Sequence, residues 1–186
     1  LVLAPLPREA TTGRHLRAKV VALAVSLVTL AISLAVLAQY EPSTPGYQMT
    51  EQHTWIKAFG AHYAVGVNGI AVTLVLLTTI LVPIVVLASF DDRLPDPKGT
   101  NAYFAWMLAV EGLALGAFMS MDAFLFYVLF EATLIPLYFL IGSFGGPNRS
   151  YAAVKFLIYN LVGGLLMLAA IVGLYVVSSR QGDASY

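Results

Sequence analysis

Five long apolar stretches dominate the pattern of hydrophobic and polar positions along the chain. Each is close to the roughly 20 predominantly apolar residues that a helix needs to cross a bilayer. The pattern therefore predicts an all-α protein, a polytopic membrane helix bundle with five transmembrane helices. The predicted helices cover 20–38, 70–90, 102–120, 122–142 and 154–177, and we expect residues 1–186 to form one membrane domain.

The segments between the predicted helices differ in length and composition. A tight turn near Asp122 joins the third and fourth helices, and Pro and Gly residues predict loops over 91–99 and 145–149. The long connection 39–69 favours an extended or hairpin form, because it is rich in Pro, Gly and Thr. Three of its aromatic side chains suit a membrane interface: Trp55, Phe59 and Tyr63. The chain begins at Leu1 rather than Met, and 1–7 resembles the end of another apolar segment, so we expect a fragment of a longer protein.

Composition supports a membrane location and excludes several kinds of site. The 186 residues are 59% hydrophobic and 11% charged, with a mean hydropathy of +0.81, against about 45–50% apolar residues in soluble domains. Ten basic and ten acidic residues give a net charge of zero, and no basic cluster predicts nucleic-acid binding. Without cysteine the chain offers no thiolate ligands, and its three histidines lack a metal-binding spacing, so we expect no metal or cofactor site in this chain.

The distribution of Lys and Arg predicts the orientation in the membrane. Two basic residues, Lys57 and Arg180, lie on one predicted side, and eight lie on the other: Arg8, Arg14, Arg17, Lys19, Arg93, Lys98, Arg149 and Lys155. Because cytoplasmic loops carry the excess of positive charge, the segment before residue 20 is expected to be cytoplasmic. The connection 39–69 and the turn near residue 121 are then external.

Two acidic residues interrupt the apolar stretches, and both are candidates for chemistry. An acid at the centre of a membrane helix costs about 2.5–3.5 kcal/mol and usually marks an ion or proton path. Glu131 lies in the fourth predicted helix, and Glu111 lies at a similar depth in the third. The two could share a polar track, in which burial and like-charge repulsion would favour the protonated form of at least one. The alternative is structural, with each acid protonated or paired with a hydroxyl of a neighbouring helix. Lys155, near a membrane boundary, is interpreted as an anchor rather than a proton carrier.

Prolines within the predicted helices free backbone carbonyl groups beside polar residues. Pro136 has no N–H to donate to the carbonyl of Ala132, next to Glu131, so that carbonyl can bind water near the acid. Pro83 likewise has no N–H to donate to the carbonyl of Thr79. Close helix packing is the expected role of four glycines: Gly112, Gly116, Gly163 and Gly164.

Several segments resemble one family of membrane proteins. The segment 127–142, YVLFEATLIPLYFLIG, is followed by GGPNRSYAAVKFLIY over 145–159. Upstream, VGVNGI, LLTT and LASF occur in the same order as in that family. Together they resemble the M-type membrane subunits of the proton-pumping NADH-quinone oxidoreductases (respiratory complex I), whose mitochondrial counterpart is chain 4. Two motifs depart from the family pattern: Asn68 stands where Asp is common, and 160–164 reads NLVGG where Thr-x-x-Gly-Ser is frequent.

The resemblance implies a fold, a function and a location. It implies the fourteen-helix antiporter-like fold, in which Glu131 matches a glutamate of the proton pathway that pairs with a lysine of a later helix. It implies a proton-translocating subunit of an NADH:quinone oxidoreductase, without a redox centre of its own, in a bacterial cell inner membrane. NADH, flavin, iron–sulfur clusters and quinone would be bound by partner subunits, and other complex I membrane subunits and lipid would surround the chain. Two alternatives stay open: a subunit of an Mrp-type cation/proton antiporter, and a structural scaffold with no ion path.

Overall fold

The computed structural model describes residues 8–56, 61–90 and 97–181 and contains five helices that are long and apolar enough to cross a membrane. This confirms the predicted helical membrane fold. In chain order the elements are α1 (Arg8–Gln39), β1 (Gln48–Ile56), β2 (Ala61–Val67), α2 (Gly69–Ala88), α3 (Pro97–Met119), α4 (Ala123–Phe144) and α5 (Arg149–Gln181).

The first, third and fifth helices extend beyond their apolar stretches. Helix α1 begins at Arg8 and α5 continues to Gln181, because polar residues that favour helix can carry it past the hydrocarbon region. The loop predicted over 91–99 ends too late in the chain, because α3 already begins at Pro97. Proline suits that position, where its missing N–H would have no helical partner. The rest of that predicted loop, 91–96, and the interface candidate Phe59 lie outside the described residues.

The connection between α1 and α2 contains an antiparallel hairpin, as its composition favours. Strands β1 and β2 pair with His53 opposite Tyr63 and Gln48 opposite Val67. The hairpin rests on the α3–α4 turn, where the backbone N–H of Met121 donates to the carbonyl of Ala64 at 2.8 Å. We call the end of the helix bundle that carries this hairpin the hairpin end.

Asp122 joins the hairpin to the start of α4. Its Oδ1 accepts hydrogen bonds from the backbone N–H groups of Phe124 at 2.8 Å and Leu125 at 2.9 Å, which makes it the N-cap of α4. Its Oδ2 accepts from the backbone N–H of His62 at 3.0 Å. One buried side chain therefore fixes both the first turn of α4 and the position of β2.

The helices are arranged so that α3 lies between the α1–α2 pair and α4, while α5 packs along α4. Ala22, Phe104 and Val86, from α1, α3 and α2, form a buried apolar cluster. On the other side of α3, Trp106 stacks on Phe139 of α4 with ring centroids 4.8 Å apart. Helix α3 therefore separates two different interfaces, one with the α1–α2 pair and one with α4.

Candidate functional site

Glu131 lies on the side of α4 that faces α5. Its carboxyl group is directly against the backbone of Gly164: a Cβ atom built at that glycine would overlap Oε1 and Cδ of Glu131. A second close approach joins the same helices, since a Cβ at Gly142 would lie 3.4 Å from the Cβ of Ala153. The missing side chain at Gly164 therefore creates the space that the Glu131 carboxyl group occupies.

One oxygen of the Glu131 carboxyl group, Oε1, is buried and makes no hydrogen bond among the residues that the structure describes. Leaving a buried polar atom unpaired costs about 1–3 kcal/mol, and more when it carries charge. A proton, a water molecule or a cation from elsewhere in a larger assembly would each remove that cost. The unpaired oxygen therefore leaves Glu131 with an acceptor position for a further partner.

Pro136 lies within α4, one turn beyond Ala132. Because proline has no N–H, the carbonyl of Ala132 lacks its usual helical donor. This carbonyl belongs to the residue that follows Glu131, so α4 carries a backbone acceptor without its usual helical donor close to the acid. Water that reached the carboxyl group would find a further hydrogen-bond partner there.

Glu111 is more deeply enclosed than Glu131, since only 3% of its surface is exposed. Its Oε1 is also buried without a hydrogen-bond partner within the described part of the chain. Glu111 follows Phe104 by seven residues, which is close to two helical turns, so both lie on nearly the same side of α3. Since Phe104 packs against Ala22 and Val86, Glu111 faces the α1–α2 pair.

The structure does not bring the two acids together. In the α3–α4 interface, Trp106 stacks on Phe139, and a Cβ at Gly116 would lie 3.2 Å from Leu129. Glu111 lies midway between these two contacts along α3, which places it within about one helical turn of Glu131 along the bundle. The depths of the two acids are therefore similar. At about 100° per residue, however, Glu111 lies about 140° around α3 from both Trp106 and Gly116, whereas Glu131 lies about 160° around α4 from Leu129 and about 80° from Phe139, on the side toward α5. They point to opposite sides, and the structure does not support a polar track shared between them.

Neither acid has a cationic partner among the described residues. The ion pair found there joins His53 and Glu51 on the hairpin, with Nε2 and Oε1 2.9 Å apart. The Lys155 Nζ lies 5.8 Å from the ring centroids of both Tyr151 and Tyr159, one turn away on either side along α5. The lysine is thus held by aromatic rings of its own helix rather than by an acid. This agrees with its interpretation as an anchor.

Two features of the site were not identified from the sequence. Gly164 was expected only to allow close helix packing, whereas it forms the seat of the Glu131 carboxyl group. Thr79 was noted beside Pro83, but its buried hydrogen bond to Ser33 of α1, at 2.8 Å, requires knowledge of how α1 and α2 pair. Within the described residues no group of three His, Cys, Asp or Glu side chains could hold a metal ion.

The family described as NADH:quinone oxidoreductase/Mrp antiporter, transmembrane region, matches residues 120–182. The matched segment includes both Glu131 and the Gly164 seat. Glu111 lies just before it.

Curated relatives match almost the whole chain. It is 46% identical over 201 aligned residues to NADH-quinone oxidoreductase subunit M of Mycobacterium tuberculosis, covering 94% of this chain and 36% of that protein. The protein of the same name from Rhodobacter capsulatus is 39% identical, over 95% of this chain and 33% of the relative. The F(420)H(2) dehydrogenase subunit M of Methanosarcina mazei is 34% identical, over 84% and 31%. These names confirm the resemblance drawn from the sequence motifs, and the chain spans about a third of the length of each relative.

Proposed function

Because the chain belongs to the NADH:quinone oxidoreductase/Mrp antiporter family of membrane proteins, we propose that it forms part of a proton-translocating subunit of an NADH-quinone oxidoreductase. In this proposal, quinone reduction in partner subunits drives proton transfer across the membrane through this subunit. The electron carriers, namely NADH, flavin, iron–sulfur clusters and quinone, belong to those partners. The membrane is the bacterial inner membrane, with the hairpin end outside.

The observation that carries the proposal is the position of the Glu131 carboxyl group. It is an acid within a membrane-spanning helix, seated on Gly164, with one buried oxygen unpaired. When Glu131 takes up a proton, the carboxylate becomes a neutral acid with a donor O–H, and the cost of burying a charge is removed. When a cation approaches, the carboxylate is stabilised and the proton is released to the next acceptor. Alternation between these two conditions moves one proton past the site.

The resemblance identifies the expected cation as a lysine of a later helix. Lys155 does not fill that role, because its ammonium group is held between Tyr151 and Tyr159 of its own helix. A switching lysine would have to approach the α4–α5 interface from outside the five described helices. The many exposed apolar residues of α5 leave that side of the bundle open to further helices.

The test is Glu131→Gln in the full-length subunit, assembled in its membrane complex. Glutamine keeps the size and hydrogen-bonding capacity of the side chain but cannot bind or release a proton at neutral pH. We expect assembly to survive and proton transport coupled to NADH oxidation to be lost. Glu51→Gln, on the exposed hairpin, is the matched control and should transport normally. Normal coupled transport in Glu131→Gln would contradict the proposal.

An Mrp-type cation/proton antiporter is a second candidate, because the family description that matches this chain covers both kinds of protein. It predicts proton movement that depends on sodium and needs neither NADH nor quinone. Transport in proteoliposomes of the assembled complex, with potassium replacing sodium, separates the two functions. A purely structural role would differ from both, since Glu131→Ala would then impair assembly and leave the transport of correctly assembled complexes unchanged.

A further inference from the structure

Glu111 lies at the level of a group of buried hydroxyl side chains between α1 and α2. Ala22, Val86 and Phe104 meet in one cluster, and Glu111 is seven residues from Phe104 toward the hairpin end, about 10 Å along α3. The same step from Val86 along α2, which runs in the opposite direction, leads to Thr79. Three hydroxyl residues near this level are almost completely buried: Ser26 and Ser33 of α1 and Thr79 of α2, at 0%, 4% and 0% exposure.

The hydroxyl hydrogens of this group have carbonyl acceptors within their own helices. Ser26 donates to the carbonyl of Leu23 at 3.0 Å, and Thr79 is placed to donate to that of Val75 at 2.9 Å. The Oγ of Ser33 lies 2.8 Å from the carbonyl oxygen of Leu30 and from Thr79 Oγ1. The lone pairs of the oxygens remain as acceptors, whereas few donors are left for other partners.

Two further acceptors belong to residues near the same level. Pro83 removes the N–H that would bond the carbonyl of Thr79. The buried Oε1 of Glu111 has no partner among the described residues. Near the level of Glu111 the three helices therefore carry a buried carboxyl oxygen with no partner among the described residues, a carbonyl oxygen without its usual helical donor, and hydroxyl lone pairs.

We propose that the junction of α1, α2 and α3 is a buried water site, in which water donates hydrogen bonds to the Glu111 carboxyl group and to the carbonyl oxygen of Thr79. Water is the ligand whose chemistry fits, because each molecule supplies two donors and buried water typically makes about three hydrogen bonds to otherwise unsatisfied groups. The site is separate from Glu131 and does not depend on the function proposed for that residue.

The primary test is a high-resolution cryo-electron microscopy map of the full-length subunit in its membrane complex, reconstituted in lipid nanodiscs. We expect a density peak about 2.7–3.2 Å from both a Glu111 carboxyl oxygen and the Thr79 carbonyl oxygen. A dry junction, with Glu111 bonded directly to a protein donor, would overturn the inference. A sodium ion at this position, recognised by shorter distances and by loss of the peak in sodium-free buffer, would overturn it as well.

A pair of variants on α2 tests the part played by the freed carbonyl. Pro83→Ala supplies an N–H that can bond the Thr79 carbonyl, so the water density should weaken or disappear. Thr73→Val is the matched control, because the Thr73 side chain is exposed and bonds the carbonyl of Gly69 at 2.8 Å; the peak should be unchanged. An equally strong peak in Pro83→Ala and the parent would contradict the proposed bridge. The two proposals can fail separately. If the junction is dry but Glu131→Gln loses transport, only this inference is rejected. If the junction contains water but Glu131→Gln transports normally, only the proposed function is rejected.

Discussion

The two membrane acids have the same chemistry and similar depths, but their surroundings differ. Glu131 lies between two helices, against the backbone of one glycine, and many apolar side chains of α5 are exposed. Glu111 faces a junction of three helices, near which the hydroxyl side chains of Ser26, Ser33 and Thr79 are buried. The first acid can be reached by a group from outside the five helices, whereas the second is enclosed by them. A carboxyl group that must exchange protons with a moving partner suits the first environment, and one held by fixed water suits the second.

The largest expected effect separates the two acids directly. Glu131→Gln should lower coupled proton transport by at least about tenfold, because a positioned acid or base contributes about 10²–10⁴-fold to proton transfer. Glu111→Gln should cost less than about tenfold, since glutamine can still hydrogen-bond water in the junction. Proton transport per NADH oxidised, measured in vesicles that contain equal amounts of assembled complex, gives the comparison. Equal losses in the two variants would mean that the acids act as one site despite facing opposite sides.

A smaller effect is expected from the seat of Glu131. Gly164→Ala places a methyl group where the carboxyl group now lies, so the flexible glutamate side chain must turn away. Because misplacement by about 1 Å can cost a large part of a reaction rate, transport should fall by up to about tenfold while the complex still assembles. Gly163→Ala is the matched control, since a Cβ at Gly163 meets no atom within 4 Å. Equal transport in both alanine variants would show that the seat does not position Glu131.

The apolar stretches and the buried acids could be predicted from the sequence, because each is a local property. The direction in which each acid points could not, because it depends on which helices α3 and α4 pack against. Gly164 illustrates the same limit: its importance comes from the register of α5 against α4, and Gly163, one residue away, has no comparable contact. The dual contacts of Asp122 likewise need the hairpin in place before they can be recognised.

Asp122 provides a prediction about stability rather than transport. Asp122→Ala removes the N-cap of α4 and the acceptor for His62, and loss of an N-cap alone costs about 0.5–2 kcal/mol. Hydrogen–deuterium exchange of the assembled complex should therefore become faster in β2 and in the first turn of α4. Thr44→Ala is the control. Thr44 lies in the same connection, and its hydroxyl makes an exposed hydrogen bond to Glu41, so its loss should leave exchange in these segments unchanged. Slow exchange in β2 of Asp122→Ala would mean that other contacts hold the hairpin.

The smallest effect is expected at Lys155. Its cation–π contacts with Tyr151 and Tyr159 lie at an exposed site, where each is worth about 0.5–1 kcal/mol. Lys155→Met replaces the lysine with an unbranched side chain of similar length that carries no charge. Coupled transport should change by less than about twofold in vesicles matched for assembled complex. A loss as large as that of Glu131→Gln would make Lys155 a member of the proton path instead of an anchor.

Proton binding by Glu131 is tested most directly by the infrared difference spectrum of the assembled complex between its resting and NADH-reduced states. A carboxyl group that changes protonation gives a C=O stretching band that shifts in deuterium oxide. We expect such a band in the parent and in Glu51→Gln, and we expect it to be absent in Glu131→Gln. The same band at full intensity in Glu131→Gln would show that another group binds the proton, and would contradict the role assigned to Glu131.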